Sequence, residues 1–264
     1  MSDAGSMFND GEIYERLMGR WSKLVGAQFL DWLAPAKNLD WIDVGCGNGS
    51  FTEELIARCA PATVAGVDPS EGQLAFARRR PGTKLAEFRL GDAQSLPFED
   101  RSCDIAVMAL VISFIPDPTK AVAEMARIVR PRGSVATYMW DFSVGGAPVD
   151  PIYRTYRAMG VEPPQPQNHA AATREALTRL WTAAGLTEVE ILPIRIDTVF
   201  AGFDDFWATN AVPSGPQGIL ISKMPPVERE QFRARLRDQL PPPGADGRIT
   251  VPAIANAVKG RVPA

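Results

Sequence analysis

LDWIDVGCGNGSFTE, residues Leu39–Glu53, changes character at its midpoint. Leu39, Trp41, Ile42 and Val44 form a short apolar run of strand type that closes on acidic Asp43 and then Gly45. Glycines stand at alternate positions, Gly45, Gly47 and Gly49, with no side chains to keep a ligand from the backbone. From Ser50 onward Phe51, Leu55, Ile56 and Cys59 recur at helical spacing, and Ser50 with Glu53 has the S-x-x-E spacing of a capping box. Strand, bare turn and helix N-terminus in that order make a cradle for a polar small molecule.

The same alternation continues on both sides. Upstream, Leu17, Trp21, Leu24, Val25, Phe29 and Leu33 predict a helix over 13–33, closed by Pro35. Downstream, strands are expected at 63–67, 84–90, 102–109 and 134–140. Helices between them begin at Ser70, in capping-box spacing with Gln73, and at Asp117, with Pro118 in the first turn. The second of these is stopped by Pro131-Arg132-Gly133. Past Trp140 the rhythm breaks in a Gly-, Pro- and Gln-rich segment, 142–170. A helix through Leu177, Leu180 and Trp181 then ends at Gly185, a strand is expected at 189–196, 203–243 reads as mostly helical, and 248–262 supplies a last strand. Strands alternating with helices at this spacing imply an α/β fold, a mainly parallel sheet with helices on both faces.

Composition narrows the function. At 264 residues, 45% hydrophobic and 22% charged, the chain suits one large domain with an elaboration. A net charge of -3 argues against a nucleic-acid groove, and the run Arg78–Arg80 reads as a solvated helix end favoured by the dipole. Cys46, Cys59 and Cys103 lack C-x-x-C or Cys/His pairing, so neither a disulfide framework nor a metal site is expected, and a cytoplasmic location fits. The polar start shows no signal-peptide core, and the longest apolar run, 105–115, is too short to span a bilayer.

Nicotinamide enzymes also place a glycine turn after the first strand, and an acid such as Asp68, 19 residues beyond Gly49, grips ribose hydroxyls in either case. Three details separate the possibilities. The glycines run G-x-G-x-G, and a G-x-G-x-x-G register would need glycine where Ser50 stands. Asp43 puts negative charge beside the turn, awkward for a pyrophosphate and suitable for an ammonium group. Asp92 ends the third strand as Asp68 ends the second, offering an acceptor to an adenine amino group.

Across 14–138 the chain resembles the class I S-adenosylmethionine-dependent methyltransferases. The resemblance is carried by VGCGNGSF (Val44–Phe51), VAGVDPSEGQLAFAR (Val64–Arg78), GDAQSLPFEDRSCDIA (Gly91–Ala106) and AVAEMARIVRPRGSV (Ala121–Val135). The leader YERLMGRWSKL (Tyr14–Leu24) is similar to that of the ubiquinone/menaquinone-type small-molecule branch. The resemblance implies a Rossmann-like, doubly wound seven-stranded sheet with its last strand antiparallel, and a helical lid. It implies S-adenosylmethionine as cofactor and S-adenosylhomocysteine as product. Gly45 and Gly47 would admit the methionine part, with Asp43 near its ammonium; Gly49, in the same turn, would join them at the cofactor or serve helix–strand packing alone. Asp68 would take the ribose hydroxyls, Pro69 would flank the adenine, and Asp92 with the Ala93 backbone would meet its amino group. Ala109 and Leu110 would offer a carbonyl to the ammonium, and Arg20 would pair with the methionine carboxylate. Asp104 reads as structural.

Methyl transfer needs alignment more than a base, so no obligatory triad is expected. The acceptor should sit beyond the strand ends, against a lid formed by 142–172 and 197–247, with 1–36 as a helical leader within one domain. Tyr14, Asp141 and His169 are candidate catalytic groups, a solvated loop being the plainer reading of His169. Trp140, Phe142 and the cluster Phe203, Phe206 and Trp207 are further candidate liners, a helix's buried face being the plainer reading of the cluster. Aromatic richness there suggests a small apolar or aromatic acceptor. The competing readings are a non-catalytic cofactor-binding module and a nicotinamide oxidoreductase, the latter lacking a Tyr-x-x-x-Lys pair.

Overall fold

Trp41, Ile42, Asp43 and Val44 are all buried, which is what a strand covered on both faces requires. They belong to β1 (Asp40–Val44), an interior strand of the sheet in the computed structural model, which describes residues 20–213 and 215–264. β1 pairs in parallel with β2 (Thr63–Asp68) on one side and β4 (Cys103–Ala109) on the other. β3 (Ala86–Leu90) extends the β2 side and β5 (Val129–Trp140) the β4 side, again in parallel. β7 (Ile249–Arg261) runs antiparallel between β5 and β6 (Thr187–Phe200), giving the order β3-β2-β1-β4-β5-β7-β6. This is the expected Rossmann-like seven-stranded sheet. The order reverses between β1 and β4, so a crevice opens outside their carboxyl ends.

Helices clothe the sheet through apolar stripes. α1 (Arg20–Leu33) buries Trp21, Val25, Phe29, Leu30 and Leu33, and the Phe29 ring lies 4.7 Å from that of Tyr138 on β5. The predicted start of this helix lies outside the described residues. α2 (Ser50–Cys59), α3 (Glu71–Ala77) and α4 (Pro118–Ile128) make the crossovers. Ser70 caps α3 by accepting from the Gln73 amide, and Asp117 caps α4 by accepting from the Lys120 amide, as their spacing predicted. Beyond β5 come α5 (Asp150–Ala158) and α6 (Arg174–Ala183); between β6 and β7 lie α7 (Phe203–Asn210), α8 (Gly215–Ser222) and α9 (Pro226–Gln239).

Several boundaries differ from expectation. Gly49, not Ser50, occupies the N-cap of α2, at φ 77 and ψ 12. That left-handed geometry suits glycine, so Ser50 moves into the first turn and its amide donates to Asn48 Oδ1 at 3.1 Å. Glu53 is thereby released to accept from Arg80 and from the Gly82 amide. β5 begins at Val129, directly after α4, because Pro131-Arg132-Gly133 is an irregularity within the strand rather than a separate stop. There Arg132 turns to φ 66, and its amide donates to Val262 O at 2.8 Å. β6 also extends well beyond 189–196, matched to the full length of its partner β7.

At the end of the sheet opposite the crevice, Arg130 bridges Asp40 and Asp104 at 2.9 Å each, and Asp104 also accepts from the Asp40 amide. Asp104 is structural, as expected. All three cysteines are buried and unbridged. Among the described residues no helix is long and apolar enough to cross a membrane, and no group of His, Cys, Asp and Glu is placed to hold a metal.

Candidate active site

The turn after β1 is built by backbone hydrogen bonds to its neighbour. The amides of Gly45 and Cys46 both donate to Val67 O, at 2.7 and 3.1 Å, which staples the turn to the end of β2. The Gly47 amide donates to Asp68 Oδ2 and the Ser70 amide to Asp68 Oδ1, both at 2.9 Å. Gly45 and Gly47 hold φ values of 74 and 51. A Cβ on Gly45 would fall 2.7 Å from the Val111 methyls, whereas one on Gly47 would meet nothing within 4 Å. Gly45 is bare because the fold is tight; Gly47 is bare toward open space.

That space is a cavity of about 690 Å³ outside the carboxyl ends of β1, β2 and β4, within the size range of small-molecule sites. Asp43, Gly45, Gly47, Asp68, Pro69 and Asp92 line it, as do Ala93, Ala109 and Leu110. The sequence thus brings together nine of its expected cofactor residues on one wall.

Asp43 is fully buried, and its Oδ2 accepts from Thr52 Oγ1 at 2.6 Å. Its Oδ1 has no hydrogen-bond partner among the described residues. Burial pushes this carboxyl up to about 7; the Thr52 hydroxyl pulls it down, and the Asp68 charge adds to the rise. Burial likewise raises Asp68, against the opposing pull of the Ser70 and Gly47 amides. Asp92 stands exposed at the rim, its carboxylate accepting from the Gln94 amide and side chain at 2.8 and 3.1 Å. Leu110 is left-handed at φ 61, fixed by its amide donating to Tyr138 O at 2.9 Å, and this bend takes the chain away from β4 at the cavity floor.

Other expected residues stand elsewhere. Gly49 does not line the cavity; it faces α3, where a Cβ would meet Ala77 Cβ at 3.0 Å, so its role is packing. Asp141 is also off the wall, because Ser143 and Asn256 occupy its two oxygens and make it a brace between β5 and β7. His169 is off the wall too, with Nδ1 3.2 Å from Pro166 O. Phe203, Phe206 and Trp207 do not reach the cavity; Phe206 is buried 4.8 Å from the Phe200 ring. Tyr14 and the Arg20 side chain lie outside the described residues. Arg80, expected in solvent, is almost buried: Nε donates to Asn48 O at 2.7 Å and Nη1 to Glu53 at 2.9 Å, supporting the glycine turn from behind.

Beyond the acids the wall changes character. Phe114, Tyr138, Trp140, Phe142, Val149 and Tyr153 make it largely apolar and aromatic, and Gln217 closes it from α8. Trp140 and Phe142 were legible from sequence. Tyr153 and Gln217 were not, since neither sits in a motif with fixed spacing to the glycine turn.

A family model described as a methyltransferase domain matches residues 42–137. A trans-aconitate 2-methyltransferase of Methylobacterium nodulans is 32% identical over 237 residues, which cover 80% of this chain and 82% of that protein. A malonyl-[acyl-carrier protein] O-methyltransferase of Methylococcus capsulatus is 30% identical over 152 residues, 57% of this chain and 52% of its own. Among solved structures, phosphoethanolamine N-methyltransferase 2 of Haemonchus contortus, with S-adenosyl-L-methionine, has a TM-score of 0.60 at 16% identity, covering 100% of this chain and 61% of that one.

Proposed function

The chain belongs to the class I S-adenosylmethionine-dependent methyltransferases that act on small molecules, and from that premise we propose that its acceptor is a largely apolar or aromatic compound, methylated in the chamber between the glycine turn and α5 and α8. The observation that carries this reading is one continuous cavity with two chemistries, acids and bare glycine at one end and aromatic side chains at the other. The trans-aconitate relative is named for a tricarboxylate, whereas the described wall of this cavity beyond the acids is largely apolar.

The residues fit the cofactor chemically. Asp43 Oδ1, buried without a partner, suits an ammonium group, and the end of β4 at Ala109 and Leu110 adds backbone carbonyls. Asp68 is pre-oriented by two amides and keeps further lone pairs for ribose hydroxyls. Pro69, Asp92 and Ala93 line the same cavity and would flank the adenine. S-adenosylmethionine supplies the electrophilic methyl of a sulfonium and leaves as a neutral thioether. The chain's own part is to orient the acceptor and keep water out, a contribution of up to about 7–11 kcal/mol when alignment is good. Helices α5 and α8 act as the lid, with α9 and α7 packed behind them.

Titration calorimetry with S-adenosylhomocysteine tests this directly. Wild-type protein is expected to bind, and Asp68→Ala to lose roughly 1.5–3 kcal/mol of that affinity, as for hydrogen bonds to a charged group. Unchanged affinity in Asp68→Ala would remove Asp68 from the site. A product-detecting screen over quinols, phenols, amines and fatty acids then reads the acceptor.

A further inference from the structure

We propose that the acceptor is an uncharged apolar molecule anchored through a hydroxyl or carbonyl oxygen by the neutral trio Trp140, Tyr153 and Gln217, and that the chamber selects against carboxylates. The proposal rests on the methyltransferase reading and goes further, naming the charge class of the substrate and the residues that read it.

The charge on the wall is one-sided. Its acidic side chains, Asp43, Asp68 and Asp92, all stand at the cofactor end, and the described lining residues include no Lys, Arg or His. An anion entering the aromatic end would lose its hydration with no cation among the described residues of that wall to replace it. A neutral molecule meets no such penalty.

The polar groups that are present suit a neutral partner. Trp140 is 3% exposed, and its Nε1–H has no hydrogen-bond partner among the described residues. Such a buried donor is unfavourable until a ligand oxygen accepts from it. Tyr153 is 5% exposed on α5, its ring stacked 6.4 Å from Phe142. Burial pushes its phenol up, so it is a hydrogen-bond donor rather than a base. Gln217 is 5% exposed on α8, with its carboxamide folded over Gly215 at the cavity wall.

These groups come from β5, α5 and α8, yet they share one frame. The Tyr156 hydroxyl, one helical turn beyond Tyr153, donates to Gln217 O at 3.2 Å and ties α5 to α8. Tyr156 is in turn held 4.7 Å from the Phe232 ring of α9. The anchor is therefore fixed by packing outside the cavity, as a selective site requires.

The test uses the full chain saturated with S-adenosylhomocysteine and matched probes at pH 8: 2-naphthol against 2-naphthoate, decanol against decanoate, and farnesol against farnesoate. Calorimetry is expected to show the neutral member bound at least tenfold more tightly in one or more pairs. Trp140→Phe and Gln217→Leu should each weaken that member by about 5- to 50-fold, while the Kd for S-adenosylhomocysteine stays within twofold. Gln217→Arg should raise carboxylate affinity about tenfold. Equal, absent or reversed preference across the pairs overturns the proposal, as does indifference of the neutral probe to both truncations. Failure of wild-type protein to bind S-adenosylhomocysteine at all would instead strike the methyltransferase reading.

Discussion

Two glycines of one turn carry different burdens, and substitution should separate them. Gly47→Ala adds a methyl group to open space, so its cost to the fold is the left-handed backbone alone, about 1–2 kcal/mol. The same methyl intrudes on the cofactor cradle, and calorimetry is expected to show S-adenosylhomocysteine binding weakened by at least tenfold. Gly45→Ala must displace Val111 as well, and should lower the Tm by more than Gly47→Ala does. Asp43 gives a second prediction. Its folded carboxyl is raised from 3.8 to about 7, so the folded state holds a proton that the unfolded chain releases. The resulting stability is fully present below pH 4 and is lost as pH rises through about 7. Glu54, also raised to about 7 by burial, acts in the same direction. Asp43→Asn should therefore flatten the fall in ligand-free Tm between pH 5 and 8, leaving the share due to Glu54. Binding of a cationic ligand favours ionised Asp43, so cofactor affinity should climb by up to about tenfold per pH unit below 7 and level off above it. Asp43 was legible as an acid beside a glycine turn. Its unpartnered oxygen was not, because that depends on Thr52 reaching only one side of the carboxylate.

Among the elements, α2 and the turn before it show where local sequence rules gave way. Ser50 and Glu53 have capping-box spacing, yet a left-handed backbone at Gly49 shifts the helix start by one residue. Glu53 then joins Arg80, whose guanidinium also holds Asn48 O, so the turn is buttressed by a residue at the far end of α3. A run of three arginines before a proline looks solvated in one dimension; only the crossover brings Arg80 under the turn. Arg80→Ala is expected to lower unfolding free energy by about 1.5–3 kcal/mol in a denaturant titration, as for hydrogen bonds to charged groups. Arg79→Ala, exposed on the same helix end, should be close to neutral. The aromatic cluster of α7 is a packing face: Arg237 lies 3.8 Å over the Phe203 ring and Arg233 5.7 Å over that of Trp207, which joins α7 to α9 outside the cavity.

For the molecule as a whole, the sheet was readable because each strand carries its own apolar run and each crossover its own start and stop residues. The acid-lined half of the cavity was readable for the same reason, since it gathers residues from the ends of consecutive strands. The acceptor half draws on Phe114, Trp140, Tyr153 and Gln217, over a hundred positions of chain, and no local pattern links them. The placement of β7 between β5 and β6 has a consequence for how the chain is made. All partners of β1 to β4 have been synthesised once residue 140 emerges, so the cofactor half can assemble early from short crossovers. β5 and β6 each wait for β7, near the end of the chain, and until then both present open edges to other molecules. Pulse-labelled hydrogen exchange during refolding should find the amides of β1 and β4 protected before those of β6 and β7, and removal of 249–264 should convert a folding protein into an aggregating one.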